Sequence, residues 1–330
     1  MAEKEGFVRT VARPLELRQR RQAAGGAFGV SRGLIAAAIL AIAFITTTAH
    51  ASAAPYQLEP FKDELFAYIN VLQTEYGGDF QFVDYDRQRD LYDRDAVERQ
   101  KVKPEYVDLA TQAVQTDLTL KVGGRKVAYT AVGEVEGGAR AIVIFLHGRG
   151  TDRSSGASDW IHGGNFNRVK NLMMRNGGLY IAADFSDFGK RGTAEMKALV
   201  LDQASRSPGA PVFLACGSWG GKICWRLIGD ADTGPLVKGV LFLDSEMDPD
   251  FVARAAELPP EQRPAIHISN SMEDWVLGYK SQLAFFQRMK KEVPDYPIRF
   301  VLFDSGTHGI SLRMTDWRQV LNWMLAVNGG

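Results

Sequence analysis

From residue 141 onward, short unbroken apolar runs alternate with longer amphipathic stretches to the end of the chain. The runs read AIVIFLH (141–147), LYIAADF (179–185), PVFLACG (211–217), GVLFLDS (239–245), AIHISNS (265–271) and IRFVLFD (298–304). Apolar runs this short, without polar alternation, predict strands buried on both faces of a parallel sheet. The stretches between and after them predict helices over 165–175, 193–204, 219–228, 251–258, 276–291 and 310–326. Just upstream, DLTLKV and RKVAYTAV flank Gly123-Gly124 with strand alternation on both sides, the pattern of a hairpin. Two hairpin strands and six alternating ones predict an eight-stranded, mostly parallel α/β sheet flanked by helices, spanning residues 117–330.

The preceding residues, 54–116, read as a charged and mostly helical lead-in. Phe61, Leu65, Phe66, Ile69 and Leu72 fall on one face of a helix, and residues 84–103 are a dense run of charge with no core of their own. The expectation is an embellishment packed against the main domain. Residues 1–53 read as a signal peptide: a basic stretch ending at Arg32, an apolar run over 34–45, then the small-residue passage Ala51-Ser52-Ala53. That run is short of the roughly 20 apolar residues a membrane span needs. The protein is therefore expected to be exported, periplasmic or secreted if bacterial, with anchoring through residues 34–54 as the alternative.

Composition adds exclusions. The 330 residues are 45% hydrophobic and 24% charged, which rules out disorder and leaves material for a large core. Basic and acidic residues balance at 39 each, so nothing in the whole-chain charge suggests a basic surface built to neutralise nucleic acid, and no nucleic-acid partner is expected. The first 54 residues hold seven basic and three acidic residues, leaving a body that is mildly acidic. Cys216 and Cys224 are the only cysteines; one ends a strand and the other enters the following helix, so both read as small core residues. No Cys-x-x-Cys pair or His-x-x-x-His spacing supports a zinc site, and no cofactor is expected.

In an open parallel sheet, chemistry sits at the carboxyl ends of the strands. PVFLA is followed there by Cys216-Gly217-Ser218-Trp219-Gly220-Gly221 and then a helix. A serine on such a turn needs small residues two positions before and after it, which Cys216 and Gly220 supply. The alternative is a Gly-Ser turn without chemistry. A serine nucleophile needs a base, and elimination among the five histidines leaves His308, in the loop after the last strand. His50 lies in the targeting segment, His267 inside a strand, and His162 in a loop suited to a surface role. His147 opens His147-Gly148-Arg149-Gly150, a passage better suited to presenting backbone N–H groups. A carboxylate must orient the imidazole, and Asp274, after the penultimate strand, is preferred over Asp244 and Glu273.

Taken together, these motifs resemble the α/β-hydrolase fold over roughly residues 117–326. In that family the nucleophile follows the fifth strand, the acid usually the seventh, the histidine the eighth, and a His-Gly motif follows the third. Ser218, Asp274, His308 and His147-Gly148-Arg149-Gly150 stand in those four places. The resemblance implies oxyanion donors at the backbone N–H groups of Trp219 and Arg149. It also implies a serine hydrolase of esterase or lipase type, acting on a small-molecule acyl ester, with membrane contact only through the N-terminal segment. Cys216 departs from the commoner glycine of the elbow, and the charged lead-in is foreign to the pattern. Thioesterase, peptidase and acyltransferase activities share the machinery. Outside that chemistry stand a catalytically silent binding module and a metal-dependent hydrolase using His147, Asp152, Asp159 and His162, whose spacing matches no ligand pattern.

Trp160, Phe185, Phe188, Trp219, Met247 and Trp275 follow strands and are candidates to line an acyl pocket, or to pack beneath loops. Arg149, Lys190 and Arg191 would favour an anionic group, or simply face water. Residues 246–264 leave no room for a large cap domain, so an open cleft for short to medium acyl groups is expected, with the lead-in the main candidate for a cover.

Overall fold

The computed structural model describes residues 56–329; the expected signal peptide of residues 1–53 lies outside them. Among the described residues the main sheet has ten strands: β1 (Val71–Glu75) and β2 (Phe80–Val83) at one edge, followed by β12, β11, β10, β9, β7, β8, β6 and β5, while β3 (Asp95–Val97) and β4 (Lys101–Val102) pair in a small separate sheet. All eight expected strands are present: the antiparallel hairpin β5 (Gln115–Val122) and β6 (Arg125–Gly133), then β7 (Ile142–Leu146), β8 (Leu179–Ala183), β9 (Val212–Gly217), β10 (Val237–Leu243), β11 (Ala265–Ser271) and β12 (Ile298–Phe303). Strands β7 to β12 run parallel, while β6 pairs antiparallel with β8.

Period-two alternation divides the core between the two faces. On β10, Leu241 and Leu243 join the cluster formed with Phe145, Phe166, Val169, Trp317 and Leu321, so helices α1 (Asn165–Arg175) and α2 (Trp317–Val327) cover one face. Phe242, between those leucines, points the other way and stacks on Trp225 with ring centroids 4.2 Å apart. Trp225 also meets Phe251 and Phe285, which brings three helices together over that face: Gly221–Ile228, Phe251–Glu257 and Tyr279–Glu292. The helix expected over 310–326 is two, Ile310–Met314 and Trp317–Val327, because Asp316 stops one and caps the other by accepting the N–H of Gln319.

The lead-in corrects the sequence reading. It is not mostly helical: helix Asp63–Phe66 is one turn, and the chain goes extended at Ala67. Ile69 and Leu72, assigned to a buried helical face, are 67% and 47% exposed. In place of a longer helix stands the antiparallel pair β1 (Val71–Glu75) and β2 (Phe80–Val83), which extends the sheet to ten strands by parallel pairing of β2 with β12. Phe80 sits opposite Phe300, more than 200 residues away, and both are buried. A four-residue strand paired at that distance leaves no local period to read. The charged run has a core as well, since Asp90, Arg94, Asp95 and Val102 are buried. Between β10 and β11 lie only helix Phe251–Glu257 and the turn Pro260–Gln262, so no cap domain sits there. No helix among the described residues is long and apolar enough to cross a membrane.

Candidate active site

Strand β9 ends at Gly217, and the chain turns sharply through Ser218–Gly220 into helix Gly221–Ile228. Ser218 takes the left-handed conformation, φ 47°, which is costly for a residue with a Cβ and points to a functional constraint. The glycines are required by contact: a Cβ on Gly220 would stand 2.5 Å from the carbonyl oxygen of Leu146, and one on Gly221 would stand 2.9 Å from Ser245 Oγ. The Ser245 hydroxyl lies 2.8 Å from the carbonyl oxygen of Cys216 and 2.6 Å from that of Ser218, tying the turn to the end of β10.

Cys216 and Cys224 are not separate core residues, as expected from sequence, but a disulfide, with Cα atoms 6.5 Å apart. The turn is tight enough to bring the first turn of the helix back over the end of β9, within the Cα separation that disulfides span.

At this elbow His308 Nε2 lies 3.0 Å from Ser218 Oγ, and His308 Nδ1 lies 2.8 Å from Asp274 Oδ2. The Asp274 carboxylate is buried, and its other oxygen accepts the N–H groups of Val276 and Leu277 at 2.8 and 3.0 Å. It is thereby fixed before it meets the imidazole. Burial of the His308 ring works against its charge, but the hydrogen bond to Asp274 and the carboxylates of Asp244 and Asp274 outweigh it, and the pKa is raised above 6.5.

Of the other two carboxylates weighed, Glu273 accepts the N–H of Gly306 at 3.0 Å. Asp244 is buried at the end of β10 in a left-handed conformation, φ 48°. It accepts the N–H groups of Gly309 and Ser311 at 3.0 and 3.1 Å and the Ser311 hydroxyl at 2.7 Å, so it holds the histidine loop by its backbone rather than its ring. Burial pushes the Asp244 carboxyl up to about 7 despite those donors.

The loop after β7 closes the other side of Ser218. A Cβ on Gly148 would lie 3.0 Å from Ser218 Cβ, so only glycine lets this backbone come so close. The Thr151 hydroxyl donates to the Gly148 carbonyl, and the His147 ring stacks flat on Phe185 with centroids 4.2 Å apart. Phe185, Phe188 and Trp219 continue as edge-to-face contacts at 5.3 and 5.7 Å. Arg149 and Lys222 lie over the Trp219 ring at 4.8 and 3.9 Å. Trp219 and Arg149, the expected oxyanion donors, thus directly follow Ser218 and Gly148 in the two segments that meet here. Trp160 packs instead under Lys101 of the lead-in, and Trp275 is 81% exposed.

A family model described as the alpha/beta hydrolase family matches residues 143–329. The chain belongs to the alpha/beta hydrolase family. Among solved structures it is similar to an esterase of Pyrococcus furiosus, at 14% identity and a TM-score of 0.49 over 68% of this chain and 94% of that one. It is similar also to one of two esterases of the fungus Rhizomucor miehei, at 14% identity and a TM-score of 0.46 over 68% and 89%. A third is an alpha-beta serine hydrolase homologue from Coxiella burnetii, at 16% identity and a TM-score of 0.44 over 62% and 95%. No curated protein matches the chain.

Beyond the parts expected of an alpha/beta hydrolase, the lead-in walls the far side of the histidine loop. Arg313, just after His308, donates to both oxygens of Asp95 at 2.9 and 2.6 Å, with both side chains buried. Arg94 lies beside it, donating to the carbonyl of Gly163 and sandwiched between Phe66 and Tyr106 at 4.6 Å from each ring centroid. His162, expected at the surface, is half-buried next to this group; its Nε2 lies 3.1 Å from Ser155 Oγ, and burial holds its pKa down at about 4. The four residues of the metal alternative do not converge. His147 stacks on Phe185, His162 meets Ser155, Asp159 pairs with Lys170 at 2.6 Å, and Asp152 accepts the N–H of Ser154. The sequence pointed to the lead-in as a segment packed against the main domain and able to cover the opening, but its charged run, read as having no core of its own, hid the buried Arg94, Asp95 and Arg313 group.

Proposed function

We propose that the protein is a serine hydrolase that cleaves carboxylic acyl esters through a covalent acyl-enzyme. The observation that carries this reading is the unbroken chain Ser218 Oγ, His308 Nε2, His308 Nδ1, Asp274 Oδ2, with contacts of 3.0 and 2.8 Å, at a left-handed strand-to-helix turn. In the proposed reaction Ser218 Oγ attacks the carbonyl carbon while His308 Nε2 takes its proton. The negative charge on the carbonyl oxygen is met by the backbone N–H groups of Trp219 and Arg149, and Asp274 balances the imidazolium. The tetrahedral species collapses, His308 returns the proton to the leaving alcohol, and the acyl group stays on Ser218. A water, deprotonated by His308, then releases the acid and restores the serine.

Short to medium acyl groups suit the site. The segment after β10 holds no cap, and the lead-in is built into the sheet through β2 and the buried Arg313–Asp95 pair, so it is a fixed wall and not a lid. Export is part of the reading: it rests on residues 1–53, and the Cys216–Cys224 disulfide suits an oxidising compartment. Intact-mass measurement of native protein should find a chain beginning at Ser52 or Ala54; a membrane-bound species retaining residues 34–45 contradicts export by cleavage. The activity is tested with matched esters, thioesters and amides of acetate to octanoate. The reading expects hydrolysis of the shorter oxyesters, with no jump in rate as an ester passes its solubility limit. Preferential turnover of thioesters or amides would reassign the substrate, and turnover of none would remove the enzyme reading.

A further inference from the structure

A cavity opens off the candidate base. It has a volume of about 310 Å³ and lies between the lead-in and the histidine loop; Tyr85, Arg87, Arg99, His162, His308 and Arg313 are among its lining residues. That volume is enough for a small organic group. Ser218, Gly148 and Trp219 do not line it, so it adjoins the proton-carrying imidazole and not the oxyanion side.

Its charge is one-sided. Three arginines line the cavity and no carboxylate does. The carboxylates of the neighbouring lead-in lie outside the lining, and three of them are paired with arginines. Asp84 and Asp90 bind Arg89, Asp86 accepts the Arg89 N–H, Asp93 accepts from Gln88, and Asp95 neutralises Arg313. Two cations are left to the cavity. Arg87 has no carboxylate within ion-pairing distance among the described residues, and Arg99 has only Glu98 at 3.7 Å, with both side chains more than half exposed. The cavity's backbone is under constraint as well, for Arg99 and His162 both adopt left-handed conformations, φ 57° and 50°. With the oxyanion taken up on the far side of Ser218, the portion of an ester nearest His308 is the alcohol that receives its proton.

We infer that this cavity is a leaving-group subsite for esters whose alcohol portion carries an anionic group, held by Arg87 and Arg99. The inference rests on the ester-hydrolase reading and gives it a substrate class. It also gives the lead-in a role, that of bringing two weakly paired cations to the mouth of the site.

The test uses 4-acetoxybenzoate and 4-acetoxybenzamide, near-isosteric esters whose leaving groups carry an anionic carboxylate and an uncharged amide respectively. Calorimetry on Ser218→Ala protein measures binding without turnover, and wild-type protein measures hydrolysis. The anionic ester should bind more tightly, and Arg87→Gln or Arg99→Gln in the same background should each shrink the preference about two- to fivefold, the worth of an exposed charge pair. The preference should also weaken as salt is raised. Arg288→Gln, a solvated arginine outside the cavity, should leave the ratio where it was. Equal binding of the two esters, or a preference that survives the Arg87→Gln/Arg99→Gln double substitution, overturns the subsite whatever the hydrolysis result. A charge-dependent binding preference with no hydrolysis by wild type upholds the subsite and overturns the esterase reading instead.

Discussion

On one side of His308 the site is walled by aromatic rings and glycine turns; on the other it is walled by charge. The elbow side joins Ser218 to its neighbours through close backbone approaches, where Gly148, Gly220 and Gly221 leave no room for a Cβ, and through the stack from His147 to Trp219. The lead-in side joins segments more than 200 residues apart through the Arg313–Asp95 pair, with Arg94 beside it. The first wall fixes the reacting groups by direct backbone contact, which is what proton transfer requires. The second has stability as its first consequence, because a buried pair that loses one member leaves a desolvated charge. The two walls should therefore fail differently.

The largest effects belong to the elbow side. Ser218→Ala and His308→Ala should each reduce turnover of a simple aryl ester by about 10⁴- to 10⁶-fold, and the double substitution should be no worse, because the residues act as a unit. Circular dichroism and thermal unfolding should stay near wild type. Next comes the acid. Asp274→Asn should lower kcat/KM by about 10⁴-fold, as loss of the orienting carboxylate does, whereas Asp244→Asn should cost about tenfold, since an amide oxygen still accepts from the loop N–H groups. The pH profile sharpens the contrast. His308 must be neutral to act as base and its pKa is raised, so the acid limb of kcat/KM should fall above pH 6.5 in wild type and move to lower pH in Asp274→Asn. The reverse ranking of the two aspartates would transfer the orienting role to Asp244.

How legible each wall was in the sequence depends on the range of its contacts. Ser218, Asp274 and His308 each stand a few residues past an apolar run, so the strand pattern alone brought them to one edge of the sheet. The small residues around Ser218 are local demands of one turn. Asp244 was visible as a carboxylate at a strand end, but its hold on Gly309 and Ser311 depends on where the next loop folds back. Strand β2 and the Arg313–Asp95 pair had no local signature. Phe-Gln-Phe-Val is too short to show a period, and an arginine is read as solvated until its partner's position in space is known. The disulfide was misjudged for a related reason: separation along strand and helix was taken for separation in space, and the elbow turns too sharply for that.

On the charged wall the expected effects are smaller and fall on stability. Asp95→Asn should lower folding stability by about 3–5 kcal/mol by stranding the Arg313 guanidinium, read as a fall in the denaturant midpoint. Replacing both, as Asp95→Leu with Arg313→Met, should recover much of that loss. A double variant no more stable than the single would mean the pair is needed for more than charge compensation. Smaller again is the disulfide: reducing Cys216–Cys224 removes the constraint of one short loop, about 2–3 kcal/mol, and the change should appear in thermal unfolding with and without reductant.

Covalent labelling tests most directly whether Ser218 is a nucleophile activated by His308. A fluorophosphonate probe, followed by peptide mapping of the folded protein, should place one adduct on Ser218. The label should be absent in Ser218→Ala and strongly slowed in His308→Ala. An unlabelled Ser218 in active protein, or ester turnover near the wild-type rate by folded Ser218→Ala, would contradict that role.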